Sequence, residues 1–173
     1  MKLKDILALI KDVPNFPREG VQFKDITPIF ENPKAFKSLI DELSEAVARW
    51  KPQKIVAIES RGFVLAAPMA INLGCGLVLL RKRGKLPRET FKAEYHLEYG
   101  VDHMEMHVDA IKKGERVVIL DDILATGGTL KAAASLVEQA GGKIKGSQVI
   151  LELAFLEGAK NLDFPVQALV TQN

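Results

Sequence analysis

The sequence predicts an α/β fold in which a central parallel sheet carries helices on both faces. Three observations lead there. Short apolar runs alternate with helical stretches beyond residue 50, the runs are apolar throughout and so fit strands covered on both sides, and glycines fall where the helices end. The chain has 173 residues, 47% of them hydrophobic, which suits one domain with a real core.

The elements follow in order. Leu3, Ile6, Leu7 and Ile10 share a helical face, and Pro14 is expected to end that helix. Residues 13–30 hold three prolines and one glycine among apolar residues, which reads as ordered but irregular chain. Asn32 is an N-cap and Pro33 a first helical residue; Phe36, Leu39, Ile40, Leu43, Val47 and Trp50 follow at helical spacing until Lys51-Pro52. Ile55–Ile58 reads as a strand, Phe63–Leu73 as a helix closed by Gly74, and Leu77–Leu80 as a strand. Arg116–Leu120 is a third strand, Thr129–Ala140 a helix closed by Gly141-Gly142, Gln148–Leu153 a fourth strand and Val166–Val170 a fifth. Ala93–His107 departs from this pattern: Tyr95, Leu97 and Tyr99 alternate with polar neighbours, as in an antiparallel excursion. With no internal repeat, low-complexity tract or linker, a single domain over 1–173 is the simplest organisation.

A net charge of +2 is too small to make nucleic acid the expected partner. Its distribution says more: six of the 24 Lys and Arg residues lie in Arg81–Lys92 against one acid, Glu89. Such a stretch is either a solvated surface or a mobile basic loop that meets an anion. The single cysteine, Cys75, sits in an apolar stretch and reads as a buried thiol. The first segment mixes Lys and Asp with its apolar residues, unlike a signal peptide, and no apolar run approaches a membrane span, so a cytoplasmic, soluble protein is expected.

The densest chemical signal is Val117–Leu130, VVILDDILATGGTL. Ligands of a parallel sheet bind beyond the carboxyl ends of its strands, where Asp121 and Asp122 stand. Two adjacent carboxylates are costly to bury unless hydroxyls or a metal satisfy them, and vicinal ribose hydroxyls are suitable donors. Thr126-Gly127-Gly128-Thr129 then opens a helix, whose glycines and first-turn N–H groups suit a phosphate. Other nucleotide motifs fail: GxxxxGK[ST] is absent, and Gly74-Cys75-Gly76 is followed by Leu79 where GxGxxG needs glycine. His103 and His107 are four apart in an extended context, so the histidines form no metal set, and no nucleophile elbow is present.

VVILDDILATGGT resembles the phosphoribosyl pyrophosphate (PRPP) motif of type I phosphoribosyltransferases. NFPREGVQFKDITPIF at 15–30, IESRGFVLAAPMA at 58–70, RKRGKLPRETFKAEYHLEYG at 81–100 and ELAFLEG at 152–158 are collinear with the adenine phosphoribosyltransferases in particular. The resemblance implies the type I fold with an N-terminal hood over about 1–30 and a β-ribbon-like flexible lid over about 83–102. It implies transfer of phosphoribose from PRPP to adenine, giving AMP and pyrophosphate with Mg²⁺ held mainly through substrate and water, in a homodimer.

By the same resemblance Asp121 and Asp122 bind the ribose hydroxyls, and Ala125, Thr126, Gly127, Gly128 and Thr129 the 5′-phosphate. Glu59, Ser60, Arg61 and Gly62 match the pyrophosphate loop, whose peptide before the serine is typically cis; Arg61 is its expected pyrophosphate contact, a cation being unfavourable as mere decoration at a helix start. Arg81, Lys82, Arg83 and Lys85 match further pyrophosphate contacts. Tyr95, Glu98 and Tyr99 match the lid; Glu98 is either the proton-transfer group for the purine or a solvated strand residue. Phe23 is the expected stacking partner for adenine, with Gln22, Lys24 and Leu156 around it and Arg18 nearby. Gln22 departs from the aliphatic residue of many relatives, and AAPMA is smaller than the usual FGPxLA-like block. A transferase for another purine shares the PRPP motif but should lack the hood and the ESRGF block. A PRPP- or purine-sensing regulator would usually need an added DNA-binding domain, and the basic lid argues for catalysis.

Overall fold

The computed structural model describes residues 1–97 and 100–173; the expectations for Glu98 and Tyr99 lie outside the described residues. The chain forms two compact units, Met1–Glu45 and Ala46–Asn173.

The first unit opens with a short helix, α1 (Leu3–Leu7). A longer helix running to Pro14 was expected. Instead Leu9 and Ile10 donate to the carbonyls of Ile6 and Leu7, tightening the chain into a turn of 3₁₀ type. Residues 13–30, expected to be irregular, supply most of a hairpin that begins at Lys11, formed by β1 (Lys11–Pro14) and β2 (Gln22–Asp25) with Val13 opposite Phe23. Pro14 sits at the end of a two-stranded sheet, where its missing N–H breaks no ladder. Between the strands the Phe16–Pro17 peptide is cis, and Asn15 Oδ1 accepts from Gly20 N–H at 2.9 Å. The Phe16 ring meets Phe23 edge-on at 5.0 Å.

Two helices follow, α2 (Thr27–Glu31) and α3 (Pro33–Ala48). The expected cap is present: Asn32 Oδ1 accepts the N–H groups of Lys34 and Ala35, each at 3.1 Å. The apolar periodicity of α3 is matched by the complete burial of Leu39 and Leu43.

The second unit is an α/β sheet with this order along the chain: β3 (Lys54–Ile58), α4 (Arg61–Leu73), β4 (Gly76–Lys82), β5 (Thr90–Leu97), β6 (Gly100–His107), β7 (Arg116–Leu120), β8 (Ile123–Leu124), α5 (Gly128–Gln139), β9 (Lys143–Leu153) and β10 (Val166–Gln172). Two 3₁₀ turns, Ala154–Leu156 and Gly158–Asn161, link β9 to β10. The sheet runs β10-β9-β7-β3-β4-β6-β5, with β8 also pairing β9. The first five of these strands are parallel, as expected; β6 and β5 extend the sheet antiparallel from β4, so it is mixed.

Strand alternation divides the core. Val56, Ile58, Val78, Leu80, Val117 and Ile119 pack in one buried cluster with Leu130, Ala133, Leu136 and Val137 of α5. Ile55, Ala57, Val118 and Leu120 point to the other face and are fully buried as well. Burial on both faces is what the uninterrupted apolar runs anticipated. Gly74, at φ +63°, closes α4 in the left-handed conformation that favours glycine. Cys75, expected to be buried, is half-buried just after that turn, and burial raises its thiol pKa.

Strand β9 begins five residues before the expected Gln148, because its first half is polar and carries no apolar signal. A side chain at Gly146 would meet the Trp50 ring within 2.6 Å, so glycine there lets the two approach.

The connections decide where a ligand can sit. The chain leaves β3 through α4 to reach β4 on one side, and leaves β7 through α5 to reach β9 on the other. The crossovers therefore diverge between β3 and β7, which are adjacent and parallel, with Ala57 opposite Leu120. A crevice opens at the carboxyl ends of this pair of strands.

Candidate active site

The crevice is built from the segments that follow β3 and β7. After β7, Asp121 N–H bonds the Gln148 carbonyl at 3.2 Å, and the Asp122 carbonyl accepts Ile150 N–H at 2.9 Å, so both acids are anchored to β9. Asp121 Oδ1 accepts Asp122 N–H at 2.9 Å. Asp122 is 5% exposed, and its Oδ2, which has no hydrogen bond, lies 2.7 Å from Arg61 Nε as an ion pair. Burial and then the neighbouring Asp122 carboxylate push the Asp121 carboxyl well above the ordinary range. The sequence-predicted ribose acids thus stand together, in need of donors or a cation.

After β3, the Glu59–Ser60 peptide is cis, as the resemblance implied. Helix α4 begins at Arg61, and no side chain caps its first turn. A Cβ on Gly62 would stand 3.2 Å from the Leu120 carbonyl oxygen, so the small residue seats this turn against the end of β7. Glu59 accepts Arg81 Nε and Nη2 at 3.3 and 3.2 Å and Lys82 N–H at 2.9 Å. The Arg81 hydrogen bonds hold its carboxyl below the usual range, against the opposing effect of burial. Its carboxylate is thereby a tether for Arg81, which also donates to the Lys85 carbonyl at 3.3 Å. That tether could not be read from the chain, since it joins residues 22 apart.

The glycine loop expected to take a phosphate lies between β8 and α5. Gly127 has φ +86°, and a Cβ there would come within 2.5 Å of the Gly158 carbonyl oxygen. A Cβ on Gly158 would in turn overlap the Ala125 carbonyl. Asn161 Nδ2 donates to the Thr126 carbonyl at 3.1 Å. The loop 125–127 is therefore clamped by the turn 158–161, a support that the candidate residues did not include; Gly158 inside ELAFLEG was its only trace. No side chain caps the start of α5, so its first-turn N–H groups lack an acceptor from the cap residue, as an anion-binding helix start requires.

The β5–β6 hairpin brings further expected residues into one cluster. Tyr95 stands opposite Asp102 and donates its hydroxyl to Asp102 Oδ2 at 3.2 Å, and Lys82 Nζ lies 3.1 Å from the same oxygen. Burial, with Asp102, Asp121 and Glu59 adding negative field, pushes the Tyr95 phenol up to about 12. Glu105, on β6, accepts Gly84 N–H at 3.0 Å and so fixes the start of the basic loop. Gln22, Phe23 and Lys24 all lie on β2 of the first unit, with Lys24 ion-paired to Asp12. Leu156 ends the first 3₁₀ turn of the second unit and is half-buried.

A mixed sheet with an acid pair and an anion loop after one strand, beside a cis-peptide loop after its neighbour, defines a phosphoribosyltransferase; a sequence model of the phosphoribosyl transferase domain matches residues 25–166. An adenine phosphoribosyltransferase of Caldanaerobacter subterraneus is 51% identical over 94% of this chain and 94% of its own length. A crystal structure of the Thermoanaerobacter pseudethanolicus adenine phosphoribosyltransferase superposes with a TM-score of 0.96, at 47% identity over 99% of this chain and 100% of that one. The Saccharomyces cerevisiae adenine phosphoribosyltransferase, solved with an imino-altritol bisphosphate and adenine, gives a TM-score of 0.91 at 44% identity, covering 97% and 98%. The chain belongs to the adenine phosphoribosyltransferase family.

Two consequences of the site are measurable. Because the folded Asp121 carboxyl holds its proton more tightly than the unfolded one, near pH 3.9, its contribution to stability falls as pH rises from about 4 through its raised range. Urea unfolding across that range is expected to show Asp121→Asn gaining on the parent as pH rises; a constant difference would refute the raised carboxyl. Gly158→Ala should keep the fold but displace the phosphate loop, lowering the affinity for ribose 5-phosphate by about tenfold in calorimetry. Unchanged affinity would show that the clamp does not position the loop.

Proposed function

We propose that the crevice transfers the 5-phosphoribosyl group of PRPP to N9 of adenine, releasing pyrophosphate and forming AMP. The observation that carries this reading is the juxtaposition of Asp121–Asp122 and the 125–129 loop with the 59–62 loop across neighbouring strands. It offers separate seats for ribose hydroxyls, 5′-phosphate and leaving group. The yeast relative solved with adenine supports the choice of base.

Bond cleavage at C1′ develops positive charge on the sugar and negative charge on the departing pyrophosphate. Asp121 and Asp122 accept from the ribose hydroxyls, and the phosphate loop fixes the other end of the sugar, so that the reacting carbon is oriented. Arg61, Arg81, Lys82 and Lys85 stabilise the leaving group, with Ser60 and Gly62 shaping the loop that receives it. For the base, the family resemblance assigns Phe23 as the stacking residue with Gln22 and Lys24 beside it on β2, and separately assigns Leu156. Tyr95 and Tyr99 belong to the lid over about 83–102 that excludes water, and Glu98 moves the proton of the purine. The paired carboxylates form an oxygen-only donor set suited to a hard cation held mostly through substrate oxygens and water. Mg²⁺ bound with PRPP would neutralise pyrophosphate charge.

The reading extends to a cytoplasmic homodimer. Strand β4 buries Val78 and Leu80 but leaves Leu77 and Leu79 36% and 38% exposed on its other face, and α4 adds Val64 and Ile71, 42% and 81% exposed. Exposed apolar side chains gathered on one surface mark interfaces, and Arg81 shares the face of β4 that carries Leu77 and Leu79. No helix among the described residues is long and apolar enough to cross a membrane.

Incubation with PRPP, Mg²⁺ and each purine base should yield AMP and pyrophosphate from adenine alone, and no turnover with any base would sink the proposal. Light scattering should give a dimer mass for the parent and a monomer for Leu79→Asp; a dimeric variant would place the interface elsewhere.

A further inference from the structure

Each of three cations assigned to the leaving group already has an acid of this chain beside it. Arg61 is paired with Asp122, Arg81 with Glu59 and Lys82 with Asp102. The three pairs differ in how firmly they are built. Asp122 is buried, and Glu59 holds Arg81 through two hydrogen bonds while also accepting the Lys82 N–H. The third pair rests on one 3.1 Å contact, with the Lys82 side chain 62% exposed and that of Asp102 28% exposed.

Asp102 also has donors besides Lys82. Its Oδ1 accepts His103 N–H at 2.8 Å, and its Oδ2 accepts the Tyr95 hydroxyl at 3.2 Å. If the ammonium left, the carboxylate would keep two hydrogen bonds and would not become a buried, unsatisfied charge. Lys82 is a flexible point charge, able to move to another anion by side-chain rotation. Pyrophosphate carries more negative charge than one carboxylate and is the stronger partner.

We infer that Asp102 is a resident counter-ion for Lys82, one that pyrophosphate displaces when it binds. The inference rests on the pyrophosphate role of Lys82 proposed above. It makes Asp102 a positioning residue: it parks the Lys82 ammonium beside Tyr95 in the free enzyme and lowers the net affinity for the leaving group. A product held less tightly leaves sooner, which favours turnover in the direction of AMP. Because Asp102 is on β6, within the lid segment, the exchange also breaks one tie between the hairpin and β4.

The test is a double-mutant cycle with pyrophosphate and Mg²⁺ as the probe, read by calorimetry on the parent, Asp102→Asn, Lys82→Ala and the double variant. Asp102→Asn is expected to tighten pyrophosphate binding about three- to fivefold, the size of an exposed ion pair, and Lys82→Ala to weaken it. In the Lys82→Ala background the Asp102 substitution should then have no effect. Equal or weaker binding by Asp102→Asn, or a gain that persists without Lys82, overturns the counter-ion role while leaving the proposed function intact. Unchanged binding by Lys82→Ala would instead remove the pyrophosphate role of Lys82, and the inference with it.

Discussion

Two neighbouring carboxylates at the buried end of a strand repel each other and lose hydration, and the crevice is organised around offsetting that cost. Asp121 and Asp122 follow β7 directly, where the backbone is held by β9 and cannot swing the acids into solvent. Arg61 answers part of the charge from the start of α4, and Gly62 is small enough to let that turn sit against β7. The remaining demand falls on a proton or a ligand, which is why the Asp121 carboxyl rises and why a polyhydroxylated sugar suits the position. An acid pair and an uncapped helix start follow one another here, and the proposed phosphorylated ribose would satisfy both.

The same logic extends across the leaving-group side. Cations gathered as the proposed pyrophosphate contacts repel one another, and the acids paired with them offset that repulsion. Glu59, Asp102 and Asp122 come from three different segments, yet each lies next to a cation assigned to the substrate. Such pairs cost affinity in the ground state and preserve geometry. Which of them yields on binding depends on exposure and on the donors left behind, and by that measure the pair on the hairpin is the most easily exchanged.

Much of this was legible in the sequence because it is local. The capped α3, the apolar parallel strands and the order of acids, glycines and threonines in DDILATGGT each depend on residues within a few positions of one another. The collinear segments added the base, leaving-group and lid assignments. The misreadings have a common source. Helix α1 ended early and a hairpin formed in 13–30 because strand pairing between residues 11–14 and 22–25 outweighed a short helical periodicity. Strand β9 started early because lateral pairing to β7 and β10 draws in polar residues that carry no apolar signal.

By itself, then, the sequence determined the α/β class, the positions of most elements, and the order of acids, glycines and threonines in the candidate loop, since helix starts, strand runs and glycine turns are short-range matters. Only the tertiary structure decided how these pieces meet. The diverging crossovers bring Glu59–Gly62 to the side of Asp121–Asp122, Gly158 clamps the loop 125–127 from a distant turn, and Asp102 reaches Lys82 from another strand. Those contacts join residues far apart in the chain, and which strands lie side by side is settled only when the sheet and its crossovers assemble around one core.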